Sequence, residues 1–537
     1  MTVVFFLVQF FLSIAHSRLL KIVSGCFVLA FLALFFYHQH AVKKIEINRE
    51  SYVNKKPNVI IFMYCSMRND FFDGGKNFKA FSKNSITFDN AYTPVARSGS
   101  STYALLSGLY PYHSGYFFNL NEGDPSVKFK NLFTFDLEKE GYQTVFLTNI
   151  NLFRRVDQKI NWGFNLIDAS PHNIFSFILT KISDIPLTNF FSRMAIMRSV
   201  FPYFYNNVEA TVQYSPHNFT SRLQHILKYK LKQKPVFLLI NDEMMHFPYN
   251  IPNTPAFTYK ENVVRYLKLF QIEDSYFQKE MQILKQGGLL KNAVVIVMSD
   301  HGESFGNKLP TNDPLLVYGH GNSAFSQAEF NIPFVFHFYG KHFQVLQPQK
   351  INSPVSTLDV VPTLSALLHI NIKKTDGVSL LSTIEGKHKL NNDRVLFRQS
   401  GLTFLIKLDK NVDKLAVSYI KSYHISGHGE VYLRKIVIDR EKSRIQYAAL
   451  FKNFLLVYIP KEAVVAPKMP LVKPAYFLVN TKTGRMLIFQ HSDLDTNLML
   501  KINSKKLFSI HFSLKSVNDI KMMQQALDAY IKKSIAS

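Results

Sequence analysis

The sequence predicts an α/β domain built on a central, mostly parallel sheet, with an N-terminal transmembrane helix before it and a smaller C-terminal α+β subdomain after it. Three observations carry this. Continuous apolar runs alternate with helical stretches after Pro57, an uncharged apolar run of spanning length lies near the N-terminus, and from about residue 390 short strand-like runs joined by turns take over. The expected organisation is a membrane anchor over 1–40, a basic tether over 41–56, an α/β domain over 57–389 and the subdomain over 390–537.

The anchor comes first. Residues 22–37 read IVSGCFVLAFLALFFY without a charge, and with Leu19, Leu20 and Lys21 the run approaches the ~20 residues that a helix needs to cross ~30 Å of hydrocarbon. Phe35, Phe36 and Tyr37 sit at one end, as an interfacial belt does. Arg18 and Lys21 before the span favour a cytoplasmic N-terminus and an exported remainder, against the opposing pull of Lys43 and Lys44. The earlier run, Val3 to Ala15, is too short for a standard span and reads as an interfacial helix, a short second span or part of a signal-like start. The tether carries Lys43, Lys44, Arg49, Lys55 and Lys56, which suit contact with anionic headgroups or plain solvation.

The runs Val59 to Tyr64, Thr144 to Leu147, Val236 to Ile240, Ala293 to Met298 and Ile332 to Phe338 read as buried strands, because a sheet covered on both faces needs apolar residues at every position. Glu261 to Gln286 reads as a helix stopped by Gly287 and Gly288, with Val263, Leu267, Phe270, Phe277, Met281 and Leu284 on one face. Residues 356–370 form another helix with Pro362 near its first turns. In the subdomain, residues 448–459 and 475–480 are strand-like, TKTG at 481–484 is a turn, and a terminal helix over 517–534 places Ile520, Met523, Leu527 and Ile531 together. Residues 171–215, rich in Phe, Tyr and Met, read as core or as a lid or membrane-facing insertion.

Composition narrows the function. With 47% hydrophobic and 19% charged residues the chain is not disordered. Lys plus Arg total 63 against 38 acids, a formal charge of +25, which suits an anionic membrane or substrate. The basic residues form no dense block and no zinc-finger spacing is present, so no nucleic acid partner is expected. Cys26 and Cys65 are the only cysteines, and Cys26 lies in the apolar run, which excludes a disulfide scaffold.

Ligands of open α/β sheets bind beyond the carboxyl ends of the strands. There the strand AVVIVM runs into Asp300-His301-Gly302-Glu303, an oxygen and an imidazole suited to a divalent cation or to solvent. His320 stands between Gly319 and Gly321, and His246 precedes Phe247-Pro248-Tyr249. Ser98 opens RSGSSTYALLSG at a helix start, where a serine either caps the helix or faces an anion as a nucleophile.

Taken in order, KPNVIIFMYCSMRND, RSGSSTYALLSGLYPYHSG, HFPY, VVIVMSDHGESFG, GHGNSAFSQAEFNIPFVF, STLDVVPTLSALL and DGVSLL resemble the sulfatase-like branch of the alkaline phosphatase superfamily, which includes membrane-anchored phosphoethanolamine and glycerolphosphate transferases. The resemblance runs from about residue 57 to 386 and loosely to about 500. It implies an alkaline-phosphatase-like sandwich and a hydrolase or transferase whose metal-held Ser98 attacks an ester. It places Asp300, His301, Ser98 and Cys65 at metal-ligand positions, and His246 and His320 against the substrate anion. Two departures stand out. Residues 98–102 lack the Pro and Arg of the pattern in which sulfatases mature formylglycine, which points to phosphoester rather than sulfate chemistry. Cys65 replaces a carboxylate ligand, which favours zinc; otherwise calcium, magnesium or manganese is expected. The expected substrate is an anionic lipid headgroup or envelope glycan outside the cytoplasm. The alternatives are a non-catalytic pseudoenzyme that binds an anionic lipid or partner, and a true sulfatase.

Overall fold

The computed structural model describes residues 56–121, 127, 131–149, 162–169, 216–247, 249, 259–305, 318–343, 346–400, 421–425, 431–461, 475–481, 486–489 and 514–536. They belong to one compact unit, Glu50–Ser170 together with Val208–Ser537. The expected span over 19–37, the run over 3–15, nearly all of the tether, the aromatic-rich segment 171–215 and most of the TKTG turn lie outside the described residues. Among the described residues no helix is long and apolar enough to cross a membrane.

Eight of the described strands make the central sheet. They are β1 (Asn58–Tyr64), β2 (Ile86–Phe88), β3 (Gln143–Thr148), β4 (Leu166–Asp168), β5 (Val236–Asp242), β6 (Ala293–Ser299), β7 (Phe334–Tyr339) and β8 (Gln349–Ile351). Their spatial order is β8-β2-β7-β6-β1-β5-β3-β4. β1 pairs in parallel with both β5 and β6, Phe62 lying opposite Ile240 and Val297. Only β7 runs against its neighbours β6 and β2. The residues of β1 show why the run had to be apolar throughout. Val59, Ile61 and Met63 enter one hydrophobic core, Ile60, Phe62 and Tyr64 the other, which is the period-two alternation of a strand covered on both faces.

Helices fill both layers. α1 (Lys76–Lys83), α2 (Ser98–Ser107), α3 (Tyr259–Gln286) and α4 (Val360–Leu368) are those that matter for the site. Along α3 the expected stripe is turned inward, with Phe270, Phe277 and Leu284 buried. Gly288, at φ +74°, makes the turn beyond its end. α4 follows a single 3-10 turn over Thr357–Asp359 that Ser356 and Asp359 cap reciprocally.

Two expectations are corrected. The run Ile332 to Phe338 is not one strand: Ile332 ends a short strand, and β7 starts after Pro333, which has no N–H to give a ladder. Residues 448–459 are not one run but the hairpin β10 (Tyr447–Phe451) and β11 (Phe454–Ile459), turned at Lys452-Asn453. With β9 (Leu396–Gln399), β12 (Ala475–Asn480) and β13 (Met486–Phe489) they form an antiparallel five-stranded sheet in the order β9-β10-β11-β12-β13. The terminal helix α5 (Leu514–Ala536) lays Ile520, Met523, Leu527 and Ile531 into the core shared with Tyr447, Ala449 and Leu456. Arg398 of β9 ties this sheet to the larger domain. It is buried and donates to the carbonyls of Ala324 and Phe325 at 2.8 and 2.9 Å, with its guanidinium 4.6 Å from the Phe330 ring centre.

Candidate active site

The carboxyl ends of β1 and β6 are side by side, and a buried serine holds them in register. Ser299 Oγ donates to a carbonyl oxygen, with those of Tyr64 and His301 both at 2.5 Å, and it accepts from the Met67 N–H at 3.1 Å. The residues just beyond these strands, Cys65 and Asp300-His301, are therefore neighbours although 235 positions separate Cys65 from Asp300. Ser66 is held at φ +63°, a conformation a serine adopts only under constraint. The constraint is visible: its N–H donates to Asp300 Oδ1 at 3.2 Å and its carbonyl accepts from the Tyr266 hydroxyl at 2.8 Å.

α2 brings the third part. Its N-cap position is Arg97, and no side chain caps it, so the capping reading of Ser98 does not hold. Ser98 is the first helical residue, buried, with Oγ 3.2 Å from His301 Nε2 and 3.5 Å from Cys65 Sγ. Further along α2, Ser101 Oγ donates to the Asp300 carbonyl at 2.6 Å, which fixes the helix start against β6.

The protonation pattern follows from the contacts. His301 Nδ1 lies 2.9 Å from the Gly302 carbonyl, which can only accept, so Nδ1 carries the proton and Nε2 presents its lone pair to the Ser98 hydroxyl and the Cys65 thiol, while Asp300 Oδ2, itself an acceptor, lies 3.4 Å away without a hydrogen to share. Burial lowers the His301 pKa, partly offset by the Asp300 charge. Burial also lowers that of His320 and brings His246 down to about 4. All three rings are thus neutral at pH 7. His320 stacks on His301 with centres 4.1 Å apart and meets the His246 ring at 5.0 Å. The six sequence-derived residues are brought together: Ser98, Cys65, Asp300 and His301 in direct contact, His320 stacked behind His301, and His246 at the end of the histidine row. Asp70, also near β1 in sequence, turns away and pairs with Arg68.

Sequence reasoning passed over Glu303, Glu243 and Arg97. Glu303 is fully buried and hydrogen-bonds His320 Nδ1 at 2.9 Å, which fixes the ring's orientation. Burial pushes its carboxyl up to about 8, a rise that the Ser66 hydroxyl and Arg97 moderate. Its signal was its place in the Asp-His-Gly-Glu run. Arg97 stands next to Ser98 and donates to Asn322 Oδ1 at 3.1 Å. It fits because residue 321 is glycine: a Cβ there would lie 2.3 Å from Arg97 Nε.

The donor set suits a divalent cation. Cys65, Asp300 and His301 each offer a ligand atom within 4.8 Å of the others, and Cys65, Glu243 and His246 do the same. Among the described residues, no hydrogen-bond donor reaches the buried Asp300 Oδ2, an expensive state that a cation relieves. Burial, then Asp300 and Glu243, push the Cys65 thiol well up. A thiolate there therefore needs a positive charge beside it.

Comparison with known proteins now decides the family. The sulfatase family model matches residues 57–370. The chain belongs to the sulfatase family. An endo-4-O-sulfatase of Bacteroides thetaiotaomicron is 30% identical over 187 residues, 34% of this chain and 33% of that protein; the match thus spans about a third of the relative's length. The phosphonate monoester hydrolase of Agrobacterium radiobacter superposes with a TM-score of 0.56 at 14% identity, over 89% of this chain and 96% of that one. A Bacteroides thetaiotaomicron protein of glycosaminoglycan metabolism superposes with a TM-score of 0.54 at 16% identity, over 90% and 99%. The fold is thus alkaline-phosphatase-like, and this sulfatase-family chain shares it with a phosphonate monoester hydrolase. Divalent metals are general in the family.

Proposed function

We propose that this sulfatase-family hydrolase is a membrane-anchored, metal-dependent enzyme that hydrolyses or transfers phosphoester groups outside the cytoplasm by attack of Ser98. The observation that supports it most is the position of Ser98 Oγ: buried at a helix start, within 3.5 Å of both His301 Nε2 and Cys65 Sγ. The start of a ten-residue helix favours an anionic ester, and the Arg97 charge adds to it. The serine oxygen forms the new bond to phosphorus as the bond to the leaving oxygen breaks; water or another hydroxyl then releases the group. Glu303 holds His320 facing the transferred group, and neutral His246, whose one N–H goes to the Phe247 carbonyl at 2.6 Å, keeps Nε2 as an acceptor for the hydroxyl of an incoming water or alcohol. Cys65, Asp300 and His301, with Ser98, are the residues that would hold the metal. Sulfur beside oxygen and nitrogen favours zinc over calcium, magnesium or manganese. When bound, a divalent cation lowers the pKa of the serine hydroxyl and offsets charge on the transferred group.

The substrate follows from the anchor read over 19–37: a domain tethered to a bilayer meets lipid headgroups and envelope glycans at high local concentration. A second reading, sulfate-ester hydrolysis, is favoured by the sulfatase relative; Ser98 would then have to be converted to formylglycine without the usual Pro and Arg. The deciding experiment compares wild type with Ser98→Ala on phosphodiester, phosphomonoester and sulfate-ester model substrates. Phosphoester turnover that falls at least about 10³-fold in the variant is expected. Equal turnover by both proteins, or a preference for sulfate ester, would overturn the reading.

A further inference from the structure

A second concave region lies along the seam between the central domain and the five-stranded sheet, a cleft of about 520 Å³. Its size falls in the range of ordinary ligand pockets. It shares no lining residue with the Ser98 centre. Side-chain amides dominate its wall: Asn90, Asn331 and Asn352 with Gln327 from the larger domain, Asn392 from the connection to β9, and Asn453 from the β10–β11 turn.

The charged residues there are already neutralised. Asp70 accepts from Arg68 Nε at 2.8 Å, and Lys452 Nζ lies 3.0 Å from Asp393 and 3.5 Å from Asp519. The wall thus offers no uncompensated charge to a phosphate or sulfate, in contrast to the Ser98 centre with Arg97. The side chains of Asn352, Asn392 and Asn453 make no hydrogen bond to another described residue. Each amide supplies two donors and an acceptor, which matches a hydroxyl, itself donor and acceptor. Half-buried Tyr92 in the same wall adds an aromatic ring, a surface for the C–H face of a sugar. Only Ala328, Pro354 and Leu450 among the lining residues are aliphatic or imino, too few for an acyl chain.

We propose that this cleft binds the neutral, hydroxyl-rich part of a glycan, at a site separate from the Ser98 centre. The two sites are nonetheless near in bonding: Arg68 holds Asp70 of the cleft wall and donates from Nη1 to the Glu303 carbonyl at 3.1 Å. Because the wall is built from both folding modules, a seated glycan bridges them.

The test uses the full chain purified in an amine-oxide detergent, which carries no sugar. It is applied to a printed array of neutral oligosaccharides and of their sulfated and phosphorylated counterparts. Retention on neutral glycans is expected, undiminished by added inorganic phosphate. The double variant Asn392→Ala/Asn453→Ala weakens that retention about tenfold or more, with melting temperature and model-ester turnover unchanged. Retention on anionic glycans alone, no retention on any neutral glycan, displacement by phosphate, or full retention by the double variant would each overturn the proposal.

Discussion

Cys65 is the residue on which the chemistry of the centre turns. Its sulfur touches both the Ser98 hydroxyl and the His301 ring, so the identity of this one atom sets which cation the donors prefer. Replacing it by a carboxylate restores an all-oxygen-and-nitrogen set, and hard cations gain over zinc. Cys65→Asp is therefore expected to bind less zinc and to be reactivated by magnesium, calcium or manganese after chelation. Metal analysis with reactivation assays checks this, and an unchanged zinc preference would contradict it. Ser98, Asp300 and His301 stand out in the sequence because each sits at a strand end or helix start, where capping or solvation is an equal explanation, and only the ordered motifs resembling the sulfatase-like family give them roles. Arg97 and Glu303 stayed hidden although adjacent to those residues. Their roles depend on Gly321 and His320, more than 200 and 17 positions away, and no local pattern records such meetings.

At the scale of elements, α3 carries an unusual load. Glu273 and Glu280 lie on one face of it, two turns apart, fully buried; among the described residues both oxygens of Glu273 and Oε1 of Glu280 lack a hydrogen-bond partner. Burial first, then Asp242 and Glu280, push the Glu273 carboxyl well up; burial, then Asp242, does the same to Glu280. The sign follows from linkage. A carboxyl whose folded pKa exceeds its unfolded one keeps its proton where the unfolded chain has lost it, so its contribution is complete below about 4.5 and is lost as pH rises through the raised value. Glu273→Gln/Glu280→Gln is thus expected to be more stable than wild type at pH 8, by about 1–3 kcal/mol, with the difference closing towards pH 4. Denaturant unfolding at the two pH values reads it; a difference independent of pH would sink the argument. The helix itself was plain from its apolar spacing, whereas the turn at Lys452-Asn453 was not. Lys452 takes φ +53°, a conformation normally announced by Gly or Asn, and here its ammonium is held by Asp393 and Asp519 instead.

Over the whole molecule, the alternation of buried runs and helices fixed the α/β class, because a two-sided sheet leaves that trace in composition. The junction between the modules left none: it depends on Arg398, an isolated basic residue in a short strand. Arg398→Ala removes two hydrogen bonds to buried carbonyls and the packing on Phe330, and a loss of about 3 kcal/mol or more is expected. The loop after His320 is loosened with it, so ester turnover should fall alongside stability; a variant with wild-type unfolding midpoint would show that the modules are held otherwise.

The account rests on a covalent visit of the transferred group to one hydroxyl, and this can be weighed directly. Protein quenched during turnover of an aryl phosphodiester and digested should yield the peptide containing Ser98 heavier by the transferred phosphoryl group, with the adduct absent from Ser98→Ala. An active enzyme whose peptide stays unmodified at every quench time, or carries formylglycine at position 98, would contradict it.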